Sequence, residues 1–179
     1  MIYDGLSREN AENLAASMPS ILKEKFGTEA QGTVFTPVTE LAQAVGESDV
    51  IITVTPSRQP LIKKEWVKPG THFSCIGADM EGKEEIDPHL FSGARVFADD
   101  LGQCARVGEM ELAIKSGLFS ETAAVGEIGQ VLLGEIAGRR SGEEITIFDA
   151  TGLAALDLVT GKRAVDLARV KGIGMTAEI

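Results

Sequence analysis

The sequence lacks the features that would place the protein in a membrane or outside the cell. It has no apolar run long enough to span a bilayer, and it does not open with the basic, apolar and small residues of a secretion signal. Its two cysteines, Cys75 and Cys104, lie far apart and without metal-ligand spacing. We therefore expect a cytoplasmic protein with reduced thiols and no metal site, in which Cys75 is a small core residue.

Positive charge is also scarce. The chain has 17 Lys and Arg residues against 27 Asp and Glu residues, which gives a formal net charge of -10. This balance argues against nucleic acid and anionic membranes as main partners. The 179 residues fit one domain or slightly more, and the composition is typical of a soluble enzyme or a fragment of one.

A glycine-rich phosphate-binding turn is missing as well. Ile2-Tyr3-Asp4-Gly5 resembles the end of the second strand of a dinucleotide-binding fold, where an acidic residue receives the ribose hydroxyls. The G-x-G-x-x-G turn that belongs about 20 residues upstream of that acid is absent, and no other segment supplies it. We therefore expect the chain to enter this fold at the end of its second strand.

What the sequence does contain is a regular alternation of apolar and amphipathic runs. This alternation is typical of β-α-β units that build a parallel sheet. The predicted strands are Ile2-Tyr3, 33–38, 49–55, 71–78, 94–98 and 144–148. The predicted helices are 7–26, 39–46, a short one opening at Asp87-Pro88, 109–116, 127–136 and about 153–169.

The most informative stretch is THFSCIGADMEGKEE, residues 71–85. An apolar strand breaks at Gly77 and is followed by Asp79 and then by Gly82-Lys83. Ligands of open α/β folds bind at the carboxyl edge of the sheet, where such a loop lies. A carboxylate beside an apolar wall can have a raised pKa and move a proton, while the amine binds an anion. The alternatives are an Asp79 that caps the next turn and a solvated Lys83.

The segments GADMEGKEEIDPHLFSGARVFADD, GEM and VGEIGQVLLGEIAGRRSGEEITIFDATGLAALDL, in this order, resemble the ornithine cyclodeaminase/mu-crystallin family, most of all its alanine-dehydrogenase-like branch. The resemblance runs from Ile2 to about Arg169. It implies a Rossmann-like, doubly wound parallel sheet that lacks the first strand with its glycine-rich turn. It also implies that the N-terminal substrate and dimerisation domain has no counterpart here.

The implied domain organisation follows from that resemblance. Residues 1–152 would be a partial NAD(P)-binding Rossmann domain, and residues 153–179 a helix and tail that return to the missing domain. The absent first strand is central in this fold, so Ile2-Tyr3 and 49–55 should lack neighbours or be joined by another chain. The last helix should expose an apolar stripe from Leu153, Leu156 and Val165.

The resemblance also implies roles for individual residues. Asp79 would be the catalytic acid and base, and Thr151 would bind the substrate. Threonine is also favoured in strands and at helix N-caps, so structural roles remain open for Thr53, Thr55 and Thr151. The residues expected to contact the cofactor are Asp4, Thr53, Thr55, Ser57, Ile76, Gly77, Lys83 and Ala150.

The activity implied by the family is NAD-dependent oxidation or reduction at the alpha carbon of an amino or imino acid, or the deaminating cyclisation of ornithine. Asp4 favours NAD over NADP because its carboxylate repels a 2′-phosphate, although Arg8 offers a counter-charge. The expected partners are a small amino-acid or imino-acid substrate and a second subunit or a missing N-terminal chain. The alternative is an inactive remnant or a small-molecule-binding protein, and we expect the isolated chain to bind NAD weakly or not at all.

Overall fold

The computed structural model describes residues 1–28, 32–175 and 177. Strands and helices alternate in this part of the chain, as the sequence predicts. The strands are β1 Val50–Thr53, β2 Arg58–Ile62, β3 His72–Cys75, β4 Glu84–Ile86, β5 Arg95–Ala98, β6 Gly126–Glu127 and β7 Thr146–Asp149. The α-helices are α1 Arg8–Phe26, α2 Leu41–Glu47, α3 Leu101–Val107, α4 Met110–Lys115, α5 Ile128–Leu132 and α6 Ala154–Lys171.

Five strands form one parallel sheet in the order β1-β3-β7-β5-β6. Residues Phe73, Ile147 and Val96 lie side by side in register across its three middle strands, and none of them is exposed. Such β-branched and aromatic residues favour strands that are packed in a core. The predicted α/β fold with a parallel sheet is therefore confirmed.

The first helix illustrates how local sequence sets an element's ends. The Ser7 hydroxyl accepts a hydrogen bond from the backbone N–H of Asn10 at 3.3 Å, and Gly27 ends the helix in the left-handed conformation with φ 63°. These are the side-chain N-cap and the glycine C-cap that helices favour. The predicted helix from Ser7 to Phe26 is confirmed in α1.

Several elements differ from the sequence-based expectation. Helix α3 and the small parallel sheet of β2 and β4 are not predicted from the sequence; Pro60 in β2 and the adjacent Glu84 and Glu85 in β4 are unfavourable in strands. The predicted strand 33–38 is wrong in extent, because only Pro37 forms a bridge, to Ile2. The predicted helix 127–136 is shorter and spans Ile128–Leu132.

The edge of the main sheet at β1 is open. Among the described residues β1 pairs only with β3, and the Ile2–Pro37 bridge stands apart from the sheet. Tyr3 and Val38 face β1 across a groove that is lined mainly by apolar side chains. The expectation that Ile2-Tyr3 and 49–55 lack neighbours is therefore wrong in part: Ile2 bridges Pro37 and β1 pairs with β3, and only the outer edge of β1 is unpaired among the described residues.

The last helix, α6, is largely exposed to solvent. None of its residues is buried, and Leu156 and Val165 are 58% and 50% exposed, while Leu153 just before it is half-buried. The expected apolar stripe is therefore present. The division into residues 1–152 and 153–179 stays a prediction, and residues 176, 178 and 179 of that second unit lie outside the described residues. No helix of the described chain is long and apolar enough to cross a membrane.

Candidate active site

The candidate site lies where neighbouring parallel strands end together. The backbone N–H of Ile76 donates to the carbonyl of Thr53 at 2.9 Å, and that of Ala150 donates to the carbonyl of Cys75 at 3.0 Å. The segments that follow β1, β3 and β7 therefore leave the sheet at the same edge. This is the edge at which open α/β sheets bind their ligands.

Asp79 and Lys83 form an ion pair in the loop after β3. The Lys83 Nζ lies 2.5 Å from Asp79 Oδ1 and also donates to the Gly77 carbonyl at 3.3 Å. The Asp79 side chain is half exposed, whereas that of Lys83 is 14% exposed. The two residues predicted to combine proton transfer with anion binding are thus in direct contact.

The charge state of Asp79 differs from the sequence-based expectation. The hydrogen bond from Lys83 lowers the pKa of Asp79, and this effect outweighs the smaller opposing effect of desolvation. The expectation of a raised pKa is therefore wrong for this arrangement. Asp79 is an ionised carboxylate that can accept a proton once Lys83 releases it.

A buried carboxylate holds the loop that carries Asp79 and Lys83. Gly82 adopts the left-handed conformation with φ 74°, and its N–H donates to Oε2 of the buried Glu111 at 2.8 Å. The other oxygen of Glu111 accepts from Lys115, which also pairs with Glu81. Glu111 has no assigned role in the sequence analysis, because its partner lies 29 residues away in the chain.

The three hydroxyl side chains expected near the cofactor have different environments. Thr53 is buried at the end of β1, where it contributes to the wall of the groove beside that strand. The Thr55 hydroxyl accepts from the Ser57 N–H at 3.2 Å, and the Ser57 hydroxyl donates to the Gln59 carbonyl at 2.6 Å. The cofactor contacts expected of Thr53, Thr55 and Ser57 stay predictions.

Thr151 is held by two residues to which the sequence analysis gave no role here. Its hydroxyl donates to Asp99 Oδ1 at 3.3 Å and accepts from Gln103 Nε2 at 2.8 Å. Asp99 also accepts the N–H of Gly152 at 2.7 Å. The residue at the N-cap of α6 is Leu153, so the alternative role of Thr151 as a helix cap is wrong.

Asp4 lies on the other side of the groove from β1, just after Tyr3. Its Oδ1 accepts from the N–H groups of Leu6 and Ser7, and its Oδ2 accepts from Asn10. These bonds lower the pKa of Asp4 and hold its carboxylate in place. Arg8, the possible counter-charge for a 2′-phosphate, instead pairs with Glu12 at 2.7 Å.

These residues fit one part of a nicotinamide dinucleotide. Gly77 presents no side chain at the edge, Lys83 offers a positive charge there, and Asp4 offers acceptors for ribose hydroxyls. The described residues contain no group of three His, Cys, Asp or Glu side chains that would hold a metal. Burial raises the pKa of the Cys75 thiol well above its usual value, so this cysteine is not a nucleophile.

Comparison with known proteins agrees with this picture. The ornithine cyclodeaminase/mu-crystallin family model matches residues 18–171. Iminosuccinate reductase from Paracoccus denitrificans is 41% identical over 162 residues, which are 90% of this chain and 50% of that protein.

Two solved structures with bound cofactor are similar over nearly the whole chain. An archaeal alanine dehydrogenase dimer with bound NAD has a TM-score of 0.82 at 35% identity, covering 99% of this chain and 51% of that one. Δ1-pyrroline-2-carboxylate reductase from Thermococcus litoralis, in complex with NADH and L-proline, has a TM-score of 0.85 at 27% identity, covering 98% and 51%. The chain spans about half the length of these relatives. The family match and the shared fold show that the chain belongs to the ornithine cyclodeaminase/mu-crystallin family.

Proposed function

We propose that the protein contributes the nicotinamide-binding and proton-transfer part of an NAD-dependent oxidoreductase that acts on amino or imino acids. Alanine dehydrogenation, imino-acid reduction and deaminating cyclisation are the reactions of this class. The observation that carries the proposal is the Asp79–Lys83 pair, which lies beside the strand ends that hold Gly77. The relatives named above support the cofactor assignment, because two of their structures hold NAD or NADH.

In this proposal NAD supplies or accepts the hydride at the alpha carbon of the substrate. The protein's own residues control the proton. Asp79, ionised at neutral pH, accepts a proton from the substrate amine during oxidation and returns it during reduction. Thr151, held by Asp99 and Gln103, presents its hydroxyl to the substrate. Ala150 lies toward the nicotinamide ring at the same edge of the main sheet.

Lys83 couples ligand binding to this proton transfer. While its amine contacts Asp79, the pKa of the carboxylate is low and the carboxylate is a weak base. An anionic group of the cofactor or the substrate would compete for the same amine. When the amine moves to that group, the pKa of Asp79 rises toward its ordinary value or above, and the carboxylate becomes a better base.

NAD is favoured over NADP. The Asp4 carboxylate is fixed by two backbone N–H groups and keeps lone pairs for ribose hydroxyls. Arg8 is engaged by Glu12, so it does not compensate the repulsion between Asp4 and a 2′-phosphate. By similarity to the alanine dehydrogenase dimer, we propose that the working form is a homodimer that contains the length of chain seen in the relatives.

NADH titration followed by two-dimensional amide NMR tests this function. We expect millimolar NADH to shift the amide signals of Ile76, Gly77, Lys83, Ala150 and Thr151, with weak affinity because the glycine-rich turn is absent. NADPH should produce smaller shifts. A titration that leaves these signals in place would contradict the proposal, and saturation at low micromolar NADH would contradict the expected weakness.

A pair of matched variants tests the chemistry. Asp79→Asn should lower the rate of imino-acid reduction by about 100-fold to 10,000-fold, which is the usual contribution of general acid–base catalysis. Glu81→Gln removes the same charge from the same loop at a side chain that is 78% exposed, and it should leave the rate unchanged. Equal rates for the two variants would exclude Asp79 as the proton-transfer group.

A further inference from the structure

Three buried carboxylates connect β4, the start of α4 and the end of β7, and proton transfer by Asp79 uses none of them. They are Glu85 in β4, Glu109 directly before α4 and Asp149 at the end of β7, with relative exposures of 0%, 1% and 0%. A buried carboxylate is costly unless hydrogen bonds replace its water. Such groups therefore need a structural reason.

Glu85 joins the ends of two strands of the main sheet. Its Oε1 accepts from the N–H of Thr55 at 2.5 Å, and its Oε2 accepts from the N–H of Gly77 at 3.0 Å. Thr55 follows β1 and Gly77 follows β3. One side chain from the small β2–β4 sheet thus links both segments at the candidate site.

The other two carboxylates continue this connection. Glu109 Oε1 accepts from the N–H groups of Glu85 and Ile86, both at 2.7 Å. Asp149 in turn accepts from the N–H groups of Glu109 and Met110, at 3.0 and 2.9 Å. Each carboxylate therefore binds two backbone N–H groups, and the series ends one residue before Ala150.

Two glycines make room for these contacts. A Cβ atom at Gly77 would lie 2.5 Å from the carboxyl carbon of Glu85. A Cβ atom at Gly108 would lie 2.8 Å from both carboxylate oxygens of Asp149. Real side chains do not approach this closely, so the carboxylates and the glycines form one packed unit.

We propose that Glu85, Glu109 and Asp149 form a carboxylate relay that fixes the ends of β1, β3 and β7 relative to one another. The inference rests on the proposed function, because these ends carry Thr55, Gly77 and Ala150 of the proposed cofactor site. The three carboxylates are positioning residues. They act through the backbone of the strand ends and do not touch the reacting atoms.

The charge states of the relay are consistent with its burial. Desolvation raises the pKa of Glu109 to about 8 and that of Asp149 to about 7, although their backbone hydrogen bonds act in the opposite direction. Glu109 Oε2 is buried and has no hydrogen-bond partner among the described residues, so no donor there compensates the charge that ionisation would create. The titratable groups that surround Glu109 are Glu85, Asp149 and the thiol of Cys75.

Glu85→Gln tests the link between β1 and β3. The amide of glutamine has only one acceptor oxygen, so either Thr55 or Gly77 loses its partner and faces an N–H₂ group. We expect the Thr55 and Gly77 amide signals to move upfield, and the hydrogen exchange of at least one to accelerate about tenfold or more. The control Glu84→Gln removes a buried carboxylate from the neighbouring position of β4 and should leave both signals unchanged. Unchanged signals in Glu85→Gln would overturn the relay.

NADH titration of the same variants shows whether the relay sets the cofactor site. We expect the apparent affinity of Glu85→Gln to fall about fivefold or more relative to wild type and to Glu84→Gln. Wild-type affinity in a variant whose Thr55 and Gly77 signals have changed would overturn the inference. If wild-type protein itself shows no NADH-induced shifts, the proposed function fails, and the exchange rates still decide whether the relay fixes the strand ends.

Glu109→Gln provides a second test should Glu85→Gln not fold. Glutamine has the shape of the protonated acid and keeps an acceptor for the N–H groups of Glu85 and Ile86. In wild type the signals of these two amides should shift with a midpoint near pH 8, where Glu109 ionises. In Glu109→Gln the component with a midpoint near pH 8 should be absent, while any component from Asp149 near pH 7 remains. A component near pH 8 that persists in the variant, or one that is missing from wild type, would contradict the assignment.

Discussion

Two regions of this molecule differ in how far their side chains are exposed to solvent. The closed region consists of β3, β4, β5, β7, α3 and α4, and it contains fully buried side chains such as Phe73 and Ile147 together with the carboxylate relay. The open flank consists of residues 1–28, 32–49 and the outer edge of β1. Its Val50, Ile52 and Val54 are 60%, 65% and 68% exposed. The relay that links the strand ends of the candidate site lies in the closed region, while Asp4 and one wall of the groove belong to the flank.

The largest expected difference between the regions is in core packing. Phe73→Ala in β3 should lower the free energy of unfolding by about 3–5 kcal/mol, because it removes a fully buried ring and leaves a cavity. Ile52→Ala in β1 should change it by less than about 0.5 kcal/mol, because that side chain is mostly in solvent. Urea unfolding measures both. Similar losses for the two variants would mean that the flank is covered in solution, for example by a second chain.

A smaller difference is expected between two glycines. Gly77→Ala should destabilise the protein by about 1–3 kcal/mol, because its Cβ would meet the backbone carbonyl of Thr55 and the Glu85 carboxyl group and force the strand ends apart. Gly93→Ala is the matched control, since a Cβ there has nothing within 4 Å and the backbone conformation suits any residue. This control should be neutral or stabilising by up to about 1 kcal/mol. A neutral Gly77→Ala variant would show that the relay tolerates displacement.

The sequence predicts the closed region's strands well for a physical reason. The segments 71–78, 94–98 and 144–148 are short runs rich in β-branched and aromatic residues, and they form β3, β5 and β7 with shorter or shifted ends. In the flank, the segment 33–38 has the same local character, but it contributes only the bridge at Pro37 because no neighbouring strand pairs with it. Local propensity therefore identifies a strand only where tertiary pairing completes it.

The candidate site is only partly readable from the sequence. Asp79 and Lys83 stand out because they share one loop that follows an apolar strand. Glu85 and Glu109 do not, because Glu85 stands beside Glu84 and Glu109 two positions from Glu111, which is typical of solvated residues. Their partners are backbone N–H groups 8 to 30 residues away in the chain. Asp99 likewise stands beside Asp100, a pattern that indicates no particular role, and only the folded structure shows its contact with Thr151.

The smallest expected effect is a dependence of stability on pH that originates in the closed region. In the unfolded chain Glu109 and Asp149 ionise near pH 4, whereas in the folded protein they hold protons up to about pH 8 and 7. Between these values the folded state binds more protons than the unfolded state, so stability falls as pH rises. The window from pH 6.5 to 8 isolates this effect. The lowered pKa of the half-buried His72 acts in the opposite direction only below about pH 6.5.

Across this window we expect the free energy of unfolding to fall by about 1 kcal/mol per pH unit, as urea unfolding at constant ionic strength would measure. Glu109→Gln should flatten the slope, because it removes one of the two titrating groups. Asp79→Asn should leave the slope unchanged, since the pKa of that exposed carboxylate is lowered and it is ionised in both states above pH 6. A wild-type stability that rises between pH 6.5 and 8 would mean that the relay carboxylates are ionised in the folded protein. Their charges would then have to be balanced by backbone N–H groups alone.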